Sequence, residues 1–247
     1  MRHSGIQHVN HDMLEDDDGV VHVTCISVAD APLAEFFGSL SSDERERAAQ
    51  FAHEKDRNQF IAVRGCLRQL LGDYLQRSPT EIRFEYGSHG KPSLPARDND
   101  NDFRFNVSHS AGIGVLAFSR GREVGIDVEL LDARFDIHSL TRSCFSSVER
   151  EAMQLCPEDE QLRRFFQLWT AKEAYIKARG GGLSIPLQDF SIHLYEDRDV
   201  WSVEPTGNGL APLFVRRLEI AGNYAAAVAA SGDEWSVRTF DAWRTSR

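Results

Sequence analysis

Two long stretches with helical periodicity, each followed by short strand-like runs, constrain the fold of this 247-residue chain most. The first extends from about Asp56 to Gln76 and the second from Asp159 to Arg179. Because the predicted helices and strands are mixed without a regular βαβ order, the sequence predicts an α+β fold. Apolar residues recur in the first stretch at spacings of three and four and predict one buried helix face: Phe60, Val63, Leu67, Leu70, Leu71 and Tyr74.

Short apolar or alternating runs predict strands before, between and after these helices. Ser41 and Glu44 have the spacing of a capping box and predict the start of another helix. Ser146–Cys156 is also predicted to be helical, and the glycines at 180–182 are expected to end the long helix before them. The predicted strands are 20–28, 82–86, 103–107, 114–118, 123–130, 190–195, 200–204, 213–220, 224–230 and 235–240.

The order of these elements divides the chain at the turn near 119–123. Each side has a strand, then helices, then further strands, so this turn is a natural boundary. Residues 1–19 lack periodicity and carry five acidic side chains against one arginine. This composition predicts a disordered acidic tail.

Net charge and hydropathy exclude several classes of function. The formal charge of −10 argues against nucleic acid as a partner. No run reaches the ~18 apolar residues that a membrane span needs. The N-terminus lacks the apolar core of a signal peptide, and the four cysteines form no C-x-x-C pair. The sequence therefore predicts a cytoplasmic protein with reduced thiols and with neither a membrane nor a nucleic acid as partner.

The run Val124–Glu129 contains the first candidate for a chemical site. Asp127 and Glu129 are two residues apart on a predicted strand, so both carboxylates point to one face. Ile126 and Val128 point to the other face and are apolar. Two adjacent carboxylates repel each other, and a divalent cation that prefers oxygen ligands removes the repulsion. The alternative is an exposed polar strand face, and spacing alone does not choose between the two.

A second candidate lies on the last long helix, where Trp169, Glu173 and Lys177 follow one another at i, i+4 positions. Glu173 could complete a metal site with Asp127 and Glu129, and Lys177 could neutralise a phosphate. The alternative for Glu173 and Lys177 is a surface ion pair worth about 0.3–0.5 kcal/mol.

Two further stretches are candidates for phosphate binding. In the first, a predicted strand ends in the turn 108–112 and displays the hydroxyl of Ser108 and the imidazole of His109. In the second, Arg57, Arg64 and Arg68 share one face of the first long helix, beside its apolar face. Three aligned arginines form either a phosphate clamp or a solubilising surface.

Four blocks of sequence, in this order, resemble the surfactin-type 4′-phosphopantetheinyl transferases. They are Gly90-Lys91-Pro92, Phe105–Ser110, Val124–Glu129 and Trp169–Ala178, and the last continues into 180–187. Each block alone is modest evidence, but four with this order and spacing are very specific. The resemblance covers about 90–187, and the arginine-bearing helix at 57–76 is similar too.

The resemblance implies a holo-carrier-protein synthase. Such an enzyme transfers the 4′-phosphopantetheine arm of coenzyme A to a serine of an apo acyl, peptidyl or aryl carrier protein and releases adenosine 3′,5′-bisphosphate. The resemblance also implies two similar α/β halves, at about 20–122 and 123–247, related by a pseudo-two-fold axis, with the active site in the cleft between them. A chain that already contains a pseudo-dimer is expected to be a monomer.

The resemblance assigns site residues as well. Asp127, Glu129 and Glu173 match the magnesium ligands of the family, with manganese as the alternative metal. Glu173 and Lys177 are the implied catalytic residues. The implied contacts to coenzyme A are the side chains of Arg57, Arg64, Lys91, Ser108, His109 and Lys177.

Three matters stay open on the sequence alone. The proton of the carrier serine is taken by Glu173, by a metal-bound water or by His109. A metal-dependent phosphodiesterase would also use three carboxylates and a lysine, and a non-catalytic binding protein would carry them as surface charge. The motifs do not specify which carrier protein, and so which pathway, is served.

Overall fold

A computed structural model describes most of the chain. The described residues are 19–87, 90–99, 102–180, 185–195, 200–205, 213–232 and 234–240. The predicted acidic tail lies outside them, except for Gly19. None of the helices in these ranges is long and apolar enough to cross a bilayer.

The chain folds into two compact units. Unit 1 comprises the described residues within 19–85, 92–121 and 236–240, and unit 2 comprises those within 86–91 and 122–235. This division differs from the predicted halves in two places. The segment 86–91 belongs to unit 2, and the last strand returns to the sheet of unit 1. Both units combine helices with a sheet, so the predicted α+β fold with two sheet-containing halves is confirmed.

The main strands of unit 1 are β1 (Val20–Ser27), β4 (Phe103–Ser110), β5 (Ile113–Arg120) and β11 (Ser236–Phe240). They form a four-stranded sheet of order β11-β1-β5-β4, in which β11 pairs with β1 in parallel and the other neighbours are antiparallel. The short β2 (Glu85–Tyr86) and β3 (Pro92–Ser93) lie at the two ends of the segment that belongs to unit 2. The helices are α1 (Leu33–Ser39), α2 (Ser42–Ala49) and α3 (Glu54–Leu75).

The predicted apolar face of α3 lies in the core of unit 1, where Leu67, Leu71 and Tyr74 are buried. Arg68 is buried as well. It donates to the Glu44 carboxylate and to the carbonyl oxygens of Pro79 and Ile82. Arg68 therefore holds the core together rather than forming part of a phosphate clamp.

The capping box predicted at the start of α2 is present, since the backbone N–H of Ser41 donates to Glu44 Oε2 at 3.1 Å. By contrast, the strand predicted at 82–86 shortens to 85–86. A 3-10 turn occupies Pro79–Glu81, and the Ile82 carbonyl is bonded to Arg68 rather than to a neighbouring strand. This hydrogen bond to the Arg68 side chain takes the place of the strand-to-strand hydrogen bond that the alternating sequence predicted.

The strands of unit 2 are β6 (Val124–Leu130), β7 (Phe190–His193), β8 (Val200–Pro205), β9 (Leu213–Leu218) and β10 (Tyr224–Ser231). They form a five-stranded antiparallel sheet of order β6-β10-β9-β8-β7. The helices are α4 (Ile137–Cys144), α5 (Ser147–Leu155) and α6 (Glu158–Arg179). Gly180 ends α6 in a left-handed conformation, as predicted.

Close packing of α6 on β6 and β10 positions the site in unit 2. In this sheet Gly125 pairs with Ala229, and Asp127 pairs with Ala227. A Cβ atom at Gly125 would collide with main-chain atoms of Ala174 and Ala178 on α6. The absence of a side chain at Gly125 therefore lets helix and strand approach each other within a few residues of Asp127.

We expect Gly125→Ala to lower the free energy of unfolding by about 1–3 kcal/mol, because the added methyl group meets backbone rather than a flexible side chain. Urea denaturation checks this value. Gly38→Ala is the matched control, since a Cβ at this helical glycine would lie more than 4 Å from every described atom outside its own stretch of helix. The control is expected to be neutral or stabilising by up to about 1 kcal/mol. Equal effects of the two substitutions would contradict the close packing.

Candidate active site

The two carboxylates of β6 occupy the face that alternation predicted. Asp127 is 3% exposed and Glu129 is half-buried, while Ile126 and Val128 on the opposite face are fully buried. Pairing with β10 sets Asp127 opposite Ala227 and Glu129 opposite Ala225. Because both carboxylates share their face with Gly125, they lie on the side of the sheet where α6 packs.

Lys177 of α6 makes an ion pair with this strand. Its Nζ lies 2.6 Å from Asp127 Oδ1, and the side chains are 28% and 4% exposed. Glu173 precedes Lys177 by one helical turn and is half-buried. Burial raises the pKa of Glu173, the nearby Asp127 carboxylate raises it further, and Lys177 opposes both effects. Asp127, Glu173 and Lys177 therefore form one electrostatic group, which is more than a surface ion pair on a helix.

Lys91 lies at the same junction. Its Nζ donates to the carbonyl oxygen of Lys177 at 2.7 Å and to that of Val124 at 3.2 Å. The ammonium group thus links the end of α6 to the start of β6. The predicted contact between Lys91 and coenzyme A stays a prediction.

The donor set of unit 2 suits magnesium in its chemistry, because Asp127, Glu129 and Glu173 supply the oxygen ligands that Mg²⁺ prefers. Within the described ranges, however, no three histidine, cysteine, aspartate or glutamate side chains are grouped closely enough to hold a metal ion. The ammonium group of Lys177 neutralises Asp127 in this arrangement. The metal assignment of these residues stays a prediction.

A cavity of about 180 Å³ in unit 1 contains two other predicted residues, Arg64 and His109. Arg47 of α2 also lines the cavity. No sequence pattern pointed to it, because no spacing relates a residue of α2 to Arg64 of α3. The lining is Arg47, Phe60, Val63, Arg64, Leu67, Pro92, Val107 and His109.

The arginines predicted to share one face of α3 have different environments. Arg64 lies 3.6 Å from Glu44 and stacks over the ring of Phe84, at 4.9 Å from its centroid. Arg57 is about half exposed and lies 3.8 Å from Glu54 in the first helical turn, so it forms a surface pair. Of these arginines, only Arg64 lines the cavity in unit 1.

Ser108 and His109 lie on a strand and not in the predicted turn. The β4–β5 connection is shorter than predicted, because Ala111 and Gly112 both have positive φ angles and close a two-residue turn. Successive strand residues point to opposite faces. Accordingly, Ser108 is buried while His109 is exposed at the cavity.

Lys172, next to Glu173, has a structural role that was not predicted from the sequence. Its Nζ is fully buried, and it lies 2.8 Å from Glu149 Oε2 and donates to the carbonyl oxygens of Leu187 and Phe190. Burial lowers the pKa of Lys172, and Glu149 opposes this effect. A usable signal was present, since residue 172 falls on the buried stripe that contains Leu168 and Tyr175.

Comparison with known proteins identifies the family. Two family models match consecutive parts of the chain: the N-terminal region of 4′-phosphopantetheinyl transferase at 29–120, and the 4′-phosphopantetheinyl transferase superfamily at 123–229. The 4′-phosphopantetheinyl transferase HetI of Nostoc sp. is 36% identical over 83% of this chain and 84% of the relative. The chain belongs to the 4′-phosphopantetheinyl transferase superfamily.

The chain is also similar to other phosphopantetheinyl transferases. The 4′-phosphopantetheinyl transferase Sfp of Bacillus subtilis is 30% identical over 82% of this chain and 89% of the relative. The human L-aminoadipate-semialdehyde dehydrogenase-phosphopantetheinyl transferase is 33% identical over 63% of this chain and 53% of the relative. The predicted family is thereby confirmed, and with it an enzyme that transfers phosphopantetheine groups.

The two family matches divide the predicted site residues between them. The superfamily match includes Asp127, Glu129, Glu173 and Lys177. The N-terminal match includes Arg57, Arg64, Lys91, Ser108 and His109. The phosphodiesterase and binding-protein alternatives are set aside by this membership.

Proposed function

We propose that this transferase moves the 4′-phosphopantetheine group of coenzyme A to a serine hydroxyl of an apo carrier protein and releases adenosine 3′,5′-bisphosphate. The observation that carries the proposal is the group formed by Asp127, Glu173 and Lys177, where two carboxylates and an ammonium face one another across β6 and α6. The proposal includes a monomer that acts in the cytoplasm, with neither nucleic acid nor membrane as partner.

Asp127, Glu129 and Glu173 are the proposed ligands of Mg²⁺, with Mn²⁺ as the alternative. A metal ion held there would supply Lewis-acid stabilisation of negative charge on the phosphates of the substrate. Lys177 donates to a phosphate oxygen and stabilises the charge that develops as the P–O bond to the leaving group breaks. Glu173 accepts the proton of the attacking serine hydroxyl.

The cavity in unit 1 supports binding of the phosphate groups of coenzyme A. Arg47 and Arg64 supply two guanidinium groups at its lining, and His109 supplies an imidazole. Guanidinium groups bind phosphate through paired, charge-assisted hydrogen bonds. Arg57, Lys91 and Ser108 are further proposed contacts to coenzyme A.

Intact-protein mass spectrometry tests the proposed reaction directly. The transferase is incubated with coenzyme A, Mg²⁺ and a panel of apo acyl and peptidyl carrier proteins, with and without a chelator. We expect a mass gain of one phosphopantetheine arm on at least one carrier. The gain should be lost with chelator and with a carrier whose acceptor serine is replaced by alanine. If the protein binds coenzyme A but no carrier gains mass, the proposal that a carrier protein is the acceptor is wrong. If the protein does not bind coenzyme A, the proposal that coenzyme A is the donor is wrong.

We expect Lys177→Ala to lower kcat by about 100-fold while KM for coenzyme A changes by less than about threefold, because the ammonium acts mainly on charge that develops during the reaction. Steady-state kinetics with a saturating carrier measure both constants. Lys55→Ala, at an exposed position in the first turn of α3, is the control. An increase in KM with kcat unchanged would reassign Lys177 to substrate binding.

A further inference from the structure

Gln59 of α3 joins two parts of the β4–β5 hairpin through its side-chain amide. Its Oε1 accepts a hydrogen bond from the backbone N–H of Gly112 at 3.1 Å. Its Nε2 lies 2.7 Å from Nδ1 of His109. The turn itself is held from the other side, since the backbone N–H of Val28 donates to the Gly112 carbonyl at 2.9 Å.

The hydrogen bond to Gly112 determines which atom donates and which accepts in the contact between Gln59 and His109. A backbone N–H can only donate, so the amide atom facing Gly112 is the oxygen. The other end of the Gln59 amide is then the NH₂ group, which also can only donate. Nδ1 of His109 must therefore accept, and in a neutral imidazole the proton lies on Nε2.

The same contact disfavours the imidazolium form, which would set an N–H of His109 against the NH₂ of Gln59. The charged residues that line the cavity with His109 are Arg47 of α2 and Arg64 of α3, and both are cationic. Two guanidinium groups favour an anion in the cavity that the ring lines. Glu44, which lies 3.6 Å from Arg64, is the nearby carboxylate.

We propose that Gln59 is a positioning residue that holds His109 as the neutral Nε2–H tautomer, so that this ring donates a hydrogen bond to a phosphate oxygen of the substrate. The tautomer follows from the contacts of unit 1 alone. The phosphate acceptor rests on the proposed function, with coenzyme A as the donor substrate. Gln59 reaches the substrate only through His109 and is not itself a catalytic residue.

Nitrogen NMR of the imidazole ring tests the tautomer without any turnover. We expect a spectrum at neutral pH in which His109 carries its proton on Nε2, with the signals assigned by their loss in His109→Ala. In Gln59→Leu, which removes both amide bonds at similar volume, we expect the two tautomers to be mixed. Gln69→Leu, half-buried on the same helix, is the matched control and should leave the His109 signals unchanged.

Calorimetric titration with coenzyme A tests the link to the phosphate. We expect Gln59→Leu to bind coenzyme A about three- to tenfold more weakly, the effect of about one lost hydrogen bond. In a His109→Ala background the same substitution should have no further effect, because Gln59 acts through the ring. Gln69→Leu should bind as the unsubstituted protein does.

The outcomes separate this inference from the proposed function. A wild-type spectrum with the proton on Nδ1 would overturn the inference whatever the enzyme binds. An Nε2–H tautomer with an undiminished Gln59→Leu effect in the His109→Ala background would overturn the positioning role. An Nε2–H tautomer in a protein that does not bind coenzyme A would support the tautomer and overturn the proposed donor.

Discussion

Asp127→Asn should reduce phosphopantetheine transfer to a carrier by more than about 100-fold while the protein stays folded. Even the outer-shell partners of metal ligands are worth about 10- to 100-fold, and Asp127 is proposed to contact the metal directly. The substitution conserves volume at a site that is 3% exposed. It removes the charge that pairs with Lys177 at 2.6 Å. Mass spectrometric loading rates, measured over a range of magnesium concentrations, give the effect.

Asp98→Asn is the matched control for this substitution. Asp98 also pairs with a cation, Arg77 at 3.3 Å, but it lies in unit 1 and outside the proposed site. Its loading rate should match that of the unsubstituted protein. Glu129→Ala is expected to fail as Asp127→Asn does, since it removes the second carboxylate of the strand face. Unchanged turnover of either β6 variant at low magnesium would eliminate the metal assignment.

Lys172→Met should lower the free energy of unfolding by about 3–5 kcal/mol, the range for loss of one partner of a buried ion pair. The substitution leaves the Glu149 carboxylate, 2% exposed, without its cation. It also removes the donor to two carbonyl oxygens, those of Leu187 and Phe190. Urea denaturation followed by circular dichroism measures the loss.

A double substitution separates the ion pair from simple packing. Glu149→Gln removes the buried charge, so adding it to Lys172→Met should give a loss smaller than the sum of the single losses. Glu149 also accepts backbone N–H bonds from Ser146 and Ile192, so the double variant is not expected to recover fully. Lys55→Met at an exposed position should change stability by less than about 0.5 kcal/mol. If the loss in the double variant equals the sum of the single losses, the Lys172–Glu149 ion pair contributes no interaction energy.

Local patterns predicted the parts of the site that depend on one element at a time. The two-residue period of a strand correctly placed Asp127 and Glu129 on one face. The helical period correctly placed Glu173 and Lys177 one turn apart, and the glycine after α6 ended it as expected. These predictions depend only on the backbone geometry of a single helix or strand, which is the same whatever the element packs against.

The same local patterns were wrong about two segments of the backbone. The strand predicted at 82–86 gives its Ile82 carbonyl to Arg68, which lies 14 residues earlier on α3. The turn predicted at 108–112 is closed by Ala111 and Gly112 alone, so His109 becomes a strand residue. The alternation of polar and apolar residues in these segments did not show which backbone groups would bond to a neighbouring strand and which would bond to a side chain.

By itself, the sequence determined the family through four ordered blocks and the mixed class of fold, and it predicted which residues carry the chemistry. Only the tertiary structure decided which of them meet. Asp127 and Lys177 are 50 residues apart, as are Gln59 and His109, and Lys91 lies 86 residues before the carbonyl of Lys177 that it binds. Such contacts depend on the order of strands in each sheet and on how closely a helix packs against them. At Gly125 that distance is set by the absence of a single side chain, because strand and helix backbones meet where a Cβ atom would lie.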